Sequence, residues 1–150
     1  MMNLINFQIA TPEKVVLQEK IEKVSLPTEL GEITVLPGHI PLIANLSPGE
    51  MIIYTMSGQA RHYAVAGGFV EVRSGNEVVV LSDATERAEE IDEARAEEAM
   101  KRAKQLMEGV RRDEVKFAEA AAALERSLMR LRVARKRRHG QTPTLNTGRN

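Results

Sequence analysis

Apolar and polar residues alternate along the front of the chain, with Gly and Pro every few positions; behind the stretch Ser82 to Ala96, Ala, Glu, Lys, Arg and Leu dominate, with no Gly or Pro before Gly109. The change is from a strand period to a helix period. It predicts a β module followed by a helical arm.

Ile5, Phe7 and Ile9 alternate with Asn6, Gln8 and Ala10, the pattern of a strand with one buried face. Thr11-Pro12-Glu13 ends it. Val15 and Leu17, then Ile21, Val24 and Leu26, predict two more short strands before the turn residues around Pro27 and Gly31. Ile33 and Val35 predict a fourth. Pro41 demotes the run Ile40 to Leu46 to an edge or loop-like strand. Met51 to Met56 with Gln59 to Ala66, and Phe69 to Arg73 with Glu77 to Leu81, predict two hairpins turning at Ser57-Gly58 and Ser74-Gly75-Asn76. Short strands at this spacing predict a sandwich or a small barrel, and Gly67-Gly68 marks a positive φ or a close strand approach. Met51 and Met56 read as ordinary core or edge residues.

In the arm, Ala96, Ala99, Ala103, Leu106 and Val110 recur at intervals of three and four, so one face of a first helix is apolar and mostly small. Gly109 ends it. Asp113 is placed to cap a second helix, in which Phe117, Ala121, Leu124, Leu128 and Leu131 repeat the spacing, with Leu128 and Leu131 assigned to the hairpin seam. Helices of about 20 and 25 residues joined by a short link make an antiparallel hairpin roughly 30 to 37 Å long. Ala buries little area at roughly 25 cal/mol per Å². Such a hairpin needs a second surface to pack on, and could leave it at modest cost.

Composition and charge narrow the function. The 150 residues contain no Cys, which removes disulfides, thiolate zinc sites and Cys nucleophiles together. There is no apolar run of membrane-spanning length and no basic segment followed by an apolar one at the start, which leads to the expectation of a cytosolic chain without a signal peptide. Formal net charge is zero, but residues 1–88 hold ten acids against six bases and residues 89–150 eleven acids against fifteen bases. The arm therefore favours an acidic partner. No Gly-rich phosphate loop of the GxxxxGK[ST] type occurs, and no nucleophile, base and orienter form a set, so an enzyme is the weakest reading.

The segment Gly31-Glu32-Ile33-Thr34-Val35-Leu36-Pro37-Gly38-His39-Ile40-Pro41-Leu42, the pair Gly67-Gly68 before Phe69-Val70-Glu71-Val72, and the hexapeptide Ile91-Asp92-Glu93-Ala94-Arg95-Ala96 occur in this order ahead of a helical hairpin. In that combination the chain resembles the epsilon-subunit family of the bacterial F-type ATP synthase, over residues 3 to about 136. The resemblance implies a β-sandwich N-terminal domain over 1–86 followed by a C-terminal antiparallel α-helical hairpin over 87–139; residues 140–150 extend beyond the family pattern and read as a disordered tail. It implies a non-catalytic rotor subunit of the central stalk, coupling the c-subunit ring to the gamma subunit. The hairpin either lies folded on the sandwich or extends to the alpha and beta subunits, where it inhibits ATP hydrolysis. It further implies a peripheral position at the cytoplasmic face of the plasma membrane, with membrane association only through the complex.

By the same resemblance the hexapeptide is similar to an ATP-binding motif, which carries a regulatory site onto Glu86, Ile91, Asp92, Arg95, Arg102, Arg126 and Arg130. Arg95 and Arg102 are two turns apart on one face and Arg126 and Arg130 one turn apart, so guanidinium groups from both helices could converge on a triphosphate. The duller alternative is a helix-start ion pair of Asp92 with Arg95 and solvated arginines elsewhere. No cofactor is required on this reading; ATP enters as a regulatory ligand. The run Arg132, Arg135, Lys136, Arg137 and Arg138 exceeds the one or two cations a helix C-terminus attracts, and the resemblance assigns it to docking on an acidic loop of the beta subunit. Nucleic acid is disfavoured, since Phe117 is the only aromatic residue in either helix. The resemblance also implies that Glu32 and His39 lie at the interface with the c ring and gamma, although a lone His beside Pro-Gly is commonly a turn residue. The competing function is a free-standing ATP-sensing or polyanion-binding module using the basic arm alone. No metal site is expected.

Overall fold

The computed structural model describes residues 3–140, so the tail expected over 140–150 lies, beyond Gly140, outside the described residues. Within them, nine strands precede two helices: β1 Ile5–Ala10, β2 Val15–Thr28, β3 Gly31–Val35, β4 Leu42–Leu46, β5 Gly49–Thr55, β6 Ala60–Val65, β7 Gly68–Arg73, β8 Glu77–Ser82 and β9 Thr85–Arg87, then a 3-10 turn Ala88–Glu90, α1 Glu93–Gly109 and α2 Glu114–Gly140. The order along the sheet is β1-β8-β7-β4-β2-β5-β6-β9, with β3 pairing β2 and a further β1–β2 pairing. One layer is β1, β8, β7 and β4; the other is β3, β5, β6 and β9, and β2 belongs to both.

The alternation read along the strands is what fills the space between the layers. Ile5, Phe7, Ile9, Ile21, Val24, Leu26, Met51, Ile53, Tyr63, Val65, Val70, Val72, Val78 and Val80 form one buried cluster. Where two short strands were expected between Val15 and Leu26, the chain runs as a single strand of 14 residues. Its first half pairs β1 and its second half pairs β3 and β5, with the register shifting between Ile21 and Lys23. A bulge bends the strand from one layer into the other, which is how two packed sheets share a strand. β4 starts immediately after Pro41, which keeps the missing N–H out of the ladder. β1 and β8 run parallel, a pairing between distant segments that local patterning does not display.

Gly67 and Gly68 both have φ of 114°, and a Cβ on Gly68 would lie 2.0 Å from the Leu81 carbonyl oxygen. The pair is a backbone requirement of the β7–β8 crossing.

The arm folds as an antiparallel hairpin lying against the sandwich. Asp92 caps α1, its carboxylate accepting from the Arg95 N–H at 3.1 Å, and Asp113 accepts from the Lys116 N–H at 3.1 Å at the head of α2. α1 ends at Gly109 as expected. The seam differs from the expected one. Ala120, Ser127, Leu131 and Ala134 are buried on α2 at intervals of seven, four and three, the spacing of one helix face, as Ala96 and Ala103 are on α1, whereas Leu128 is 40% exposed, Phe117 37% and Leu106 54%. α2 is covered on two sides, by α1 and by the sandwich, and the seam is built of small residues so that the axes come close. Ser127 closes its hydroxyl on the Ala123 carbonyl at 2.9 Å and so tolerates burial there. Of the two residues assigned to the seam, Leu131 is buried as expected and Leu128 is rotated out of it. On the second side Met129, Val133 and Ala134 pack on Ala64, Ala88 and Ile91, with Ala66 at the margin. This small cluster is the second surface that the Ala-rich hairpin needed.

Candidate functional site

The hinge between β9 and α1 gathers the first set of functional candidates. Glu86, on the last strand, receives a two-pronged hydrogen bond from Arg130 of α2, Nε at 2.8 Å and Nη2 at 3.0 Å. That carboxylate, with a smaller contribution from Asp92, holds the Arg130 guanidinium above its usual range. Ile91 is buried beneath in the cluster of Met129 and Val133. Asp92 performs the cap described above, and its other oxygen is 3.9 Å from Arg95 Nε, with Arg95 83% exposed. The helix-start pair of the duller alternative therefore exists, though at a distance and exposure where such pairs contribute little.

Helix geometry decides where the four arginines stand. Arg95 and Arg102 precede Ala96 and Ala103 by one position, and Arg126 and Arg130 precede Ser127 and Leu131 by one position. In antiparallel helices equal offsets from the seam fall on the same side, at about 100° per residue. All four therefore share one side of the hairpin. Arg135 and Glu97, paired at 2.7 Å, follow the seam by one position and mark the opposite side. With Arg138–Glu93 at 2.7 Å they also set the register, which brings Arg102 level with Arg130. The arginine side is the one turned toward the sandwich, since Met129 and Val133 leave α2 on that side. Arg102 and Arg126 are exposed, and neither has an ion pair within 4.0 Å among the described residues. The arrangement offers an anion two unengaged guanidinium groups beside an Arg130 already engaged by Glu86.

The basic run of α2 is engaged elsewhere. Arg135 meets Glu97, Lys136 meets Glu50 at 3.0 Å, Arg137 meets Glu89 at 3.4 Å and Arg138 meets Glu93, while Arg132 is exposed. The expected docking residues are thus, in this conformation, mostly bound to the protein's own carboxylates. Sequence reasoning missed those acceptors. Glu93 and Glu97 stand one turn apart on α1 and were legible as a pair; Glu50 lies 86 residues from Lys136, and nothing local marks it.

On the sandwich, Glu32 is exposed and His39 half-buried, its Nδ1 2.6 Å from the Ile40 carbonyl oxygen. The two residues stand among exposed apolar neighbours: Leu30 is 101% exposed, Leu36 54% and Ile40 75%. Ile43 at 72%, Phe69 at 39% and Leu81 at 38% add a further apolar area on the outer face of the β4–β7–β8 layer, where Phe69 pairs Leu81. Among the described residues no group of His, Asp and Glu could hold a metal ion, and no helix is long and apolar enough to cross a membrane.

Comparison with known families matches residues 4–88 to the β-sandwich domain of the ATP synthase delta/epsilon chain and residues 89–135 to its long α-helix domain. The chain belongs to the ATP synthase epsilon-chain family. It is 44% identical over 137 residues to the ATP synthase epsilon chain of Herpetosiphon aurantiacus, covering 91% of this chain and 98% of that one. The epsilon chain of Chloroflexus aggregans is 42% identical over 130 residues, with 87% and 91% covered. Among solved structures, a chain of the Euglena gracilis mitochondrial ATP synthase, from an assembly of OSCP, F1 and c-ring, superposes with a TM-score of 0.75 at 25% identity, covering 84% of this chain and 78% of that one. An epsilon chain is a stalk subunit, so the β-sandwich and hairpin are read as parts of a larger machine.

Proposed function

We propose that the chain is a non-catalytic rotor subunit of a proton-translocating F-type ATP synthase, coupling the c ring to gamma and restraining ATP hydrolysis through its hairpin. The observation that carries this is a hairpin held on the sandwich by a small apolar cluster and a row of ion pairs. Such a contact can open and reclose. Arg135, Lys136, Arg137 and Arg138 join the exposed Arg132 in facing the alpha and beta subunits when the hairpin extends. The exposed apolar residues around Glu32 and His39 and on the outer β4–β7–β8 face support contact with the c ring and gamma, since patches of this kind mark protein interfaces. The place of action is then peripheral, at the cytoplasmic face of the plasma membrane.

ATP is the regulatory ligand of this reading, held by Arg95, Arg102, Arg126 and Arg130 with Asp92, Glu86 and Ile91 at the hinge. The shared side of the four arginines favours it. Because both helices contribute, a bound triphosphate stabilises the closed hairpin and keeps it from the catalytic head.

Two measurements test the proposal. In the assembled synthase, removing residues 89–150 is expected to raise ATP hydrolysis several-fold while proton-coupled synthesis persists; unchanged hydrolysis counts against the brake. In isothermal titration, the full chain is expected to bind ATP between micromolar and millimolar, about 4 to 8 kcal/mol, and the Arg95→Ala, Arg126→Ala variant is expected to lose that binding. Binding by neither protein removes ATP from the account and leaves the hairpin contact itself in place.

A further inference from the structure

The face of α2 turned to the sandwich and the surface that covers it match in charge and in spacing. At about 100° per residue, Met129, Arg130, Val133, Lys136 and Arg137 fall within about 120° of the helix circumference, so two buried apolar residues stand among three cations. Opposite them, Ala64 of β6 pairs Glu50 of β5 on one side and Glu86 of β9 on the other. Residues paired across a ladder share a face, so Glu50, Ala64 and Glu86 form a row in which a small apolar residue separates two carboxylates. Buried Ala88 and Ile91 continue the apolar centre, and Glu89 of the 3-10 turn adds a third carboxylate.

Strand spacing places the Glu50 and Glu86 backbones about 10 Å apart, and six residues of helix raise Lys136 about 9 Å above Arg130. Glu86 accordingly takes both Arg130 hydrogen bonds, and Glu50, which also has His62 Nδ1 at 3.5 Å, accepts from Lys136 Nζ at 3.0 Å. Glu89 stands 3.4 Å from Arg137. Arg135 and Arg138 are held differently, because their partners Glu97 and Glu93 lie on α1 and travel with the hairpin. Arg130, Lys136 and Arg137 are therefore the α2 cations whose carboxylates are left behind when the hairpin leaves the sandwich.

We infer that Glu50, Glu86 and Glu89 are a built-in competitor for an acidic partner segment: in the closed chain they occupy the cations through which α2 binds carboxylates, and opening frees that face. The inference rests on the reading of the hairpin as a detachable element that docks on an acidic partner. The surface beneath α2 displays the chemistry that fits it, carboxylates about 10 Å apart on either side of a small apolar residue. Both bound states use the same three side chains, so they exclude each other, and the apparent affinity for the partner is reduced by the fraction of chain that is open. Cations and carboxylates then have unequal roles. A cation contributes to both states; its removal lowers the intrinsic affinity and raises the open fraction, and the two effects oppose. A carboxylate contributes to the closed state alone, so its removal strengthens partner binding. Affinity for the partner is thus tuned from the sandwich, away from the surface that binds.

The test titrates a labelled poly-L-glutamate peptide into the full chain at low salt and follows hydrogen exchange of the same proteins. The triple variant Glu50→Gln, Glu86→Gln, Glu89→Gln is expected to bind the peptide about three- to thirtyfold tighter than wild type, the product of three part-exposed pairs of about 1.5- to 3-fold each. Exchange at α2 amides 127–137 is expected to quicken by a like factor and to stay level at β1 and β8. Glu13→Gln, Glu29→Gln, Glu77→Gln removes the same charge elsewhere on the sandwich and is expected to change affinity less than about twofold. Adding Lys136→Gln and Arg137→Gln to the first triple should abolish its gain, whereas in the wild-type chain the same pair should cost much less, a non-additivity that independent sites do not show. Equal tightening in the two triples, or quickened α2 exchange with no tightening, overturns the competitor. In the assembled synthase, Glu50→Gln, Glu89→Gln is expected to slow ATP hydrolysis; tighter peptide binding with unchanged hydrolysis supports the competitor and counts against the brake. If α2 amides exchange only as slowly as the core strands in every variant, the hairpin does not open separately, and both readings fail.

Discussion

Gly68 shows how much a single position can carry. Its φ of 114° lies where side-chain-bearing residues are strained, and the Leu81 carbonyl oxygen occupies the place of a Cβ. Gly68→Ala combines backbone strain with a clash against a strand that cannot retreat, so a loss of about 3 to 5 kcal/mol is expected. A urea melt of the sandwich should show the midpoint falling with the slope unchanged. Arg130 acts at the same scale but on a different equilibrium. Arg130→Ala leaves the Glu86 carboxylate, about a third exposed, without its two donors. The expected loss is about 1 kcal/mol of hairpin docking, read as faster exchange of α2 amides with the sandwich melt unaltered. Equal loss in both would place Arg130 in the core stability and not in the contact.

At the scale of the element, the hairpin is defined by what α2 has to satisfy. It needs small residues toward α1, Met129 and Val133 toward the sandwich, and bases toward the carboxylates of both neighbours. Met129 is 5% exposed in a cluster otherwise made mostly of alanines, so it supplies much of the apolar area at the contact. Met129→Ala should weaken docking by about 2 to 3 kcal/mol, and the folded fraction of the sandwich should not change. Asp92→Ala removes the cap of α1 and is expected to lower hairpin helicity by about 1 kcal/mol, measurable by circular dichroism at 222 nm. The substitution Asp92→Ser supplies a cap without a carboxylate and is expected to restore helicity. If that variant recovers the helix signal and still fails to bind ATP, Asp92 has a ligand role in addition to the cap.

For the whole molecule, the sandwich and the hairpin are joined by contacts of unlike kind. The sandwich core is continuous apolar packing; the hairpin contact is largely ionic around a small apolar centre. Raising salt from 0.05 to 0.5 M cuts the screening length from about 14 Å to about 4 Å. Exchange at α2 is expected to quicken several-fold over that range while the β-strand amides hold steady. Equal response in both parts would mean that the chain opens as one unit.

The local features were legible because local physics sets them. Alternation at Ile5, Phe7 and Ile9, the turn at Ser74-Gly75-Asn76, the stop at Gly109 and the cap at Asp113 each depend on neighbours a few residues away, and each is found where the pattern puts it; the cap at Asp92 is equally local but reads from the sequence only as an ion pair. The side of the hairpin on which Arg95, Arg102, Arg126 and Arg130 stand was half legible: spacing within each helix is sequence, but convergence across two helices needs the register that Arg135–Glu97 and Arg138–Glu93 set. What sequence alone determined is therefore the element types, their ends and the family motifs. Tertiary structure decided the merging of β2 across a bulge, the parallel β1–β8 pairing, the rotation of the seam away from Phe117 and Leu128, and the meeting of Glu50 and His62 with Lys136. The physical reason is common to all four: hydrogen bonding and periodicity act over a few residues, whereas which surface covers a helix face, and which carboxylate a distant cation finds, is set by how the whole chain closes on itself.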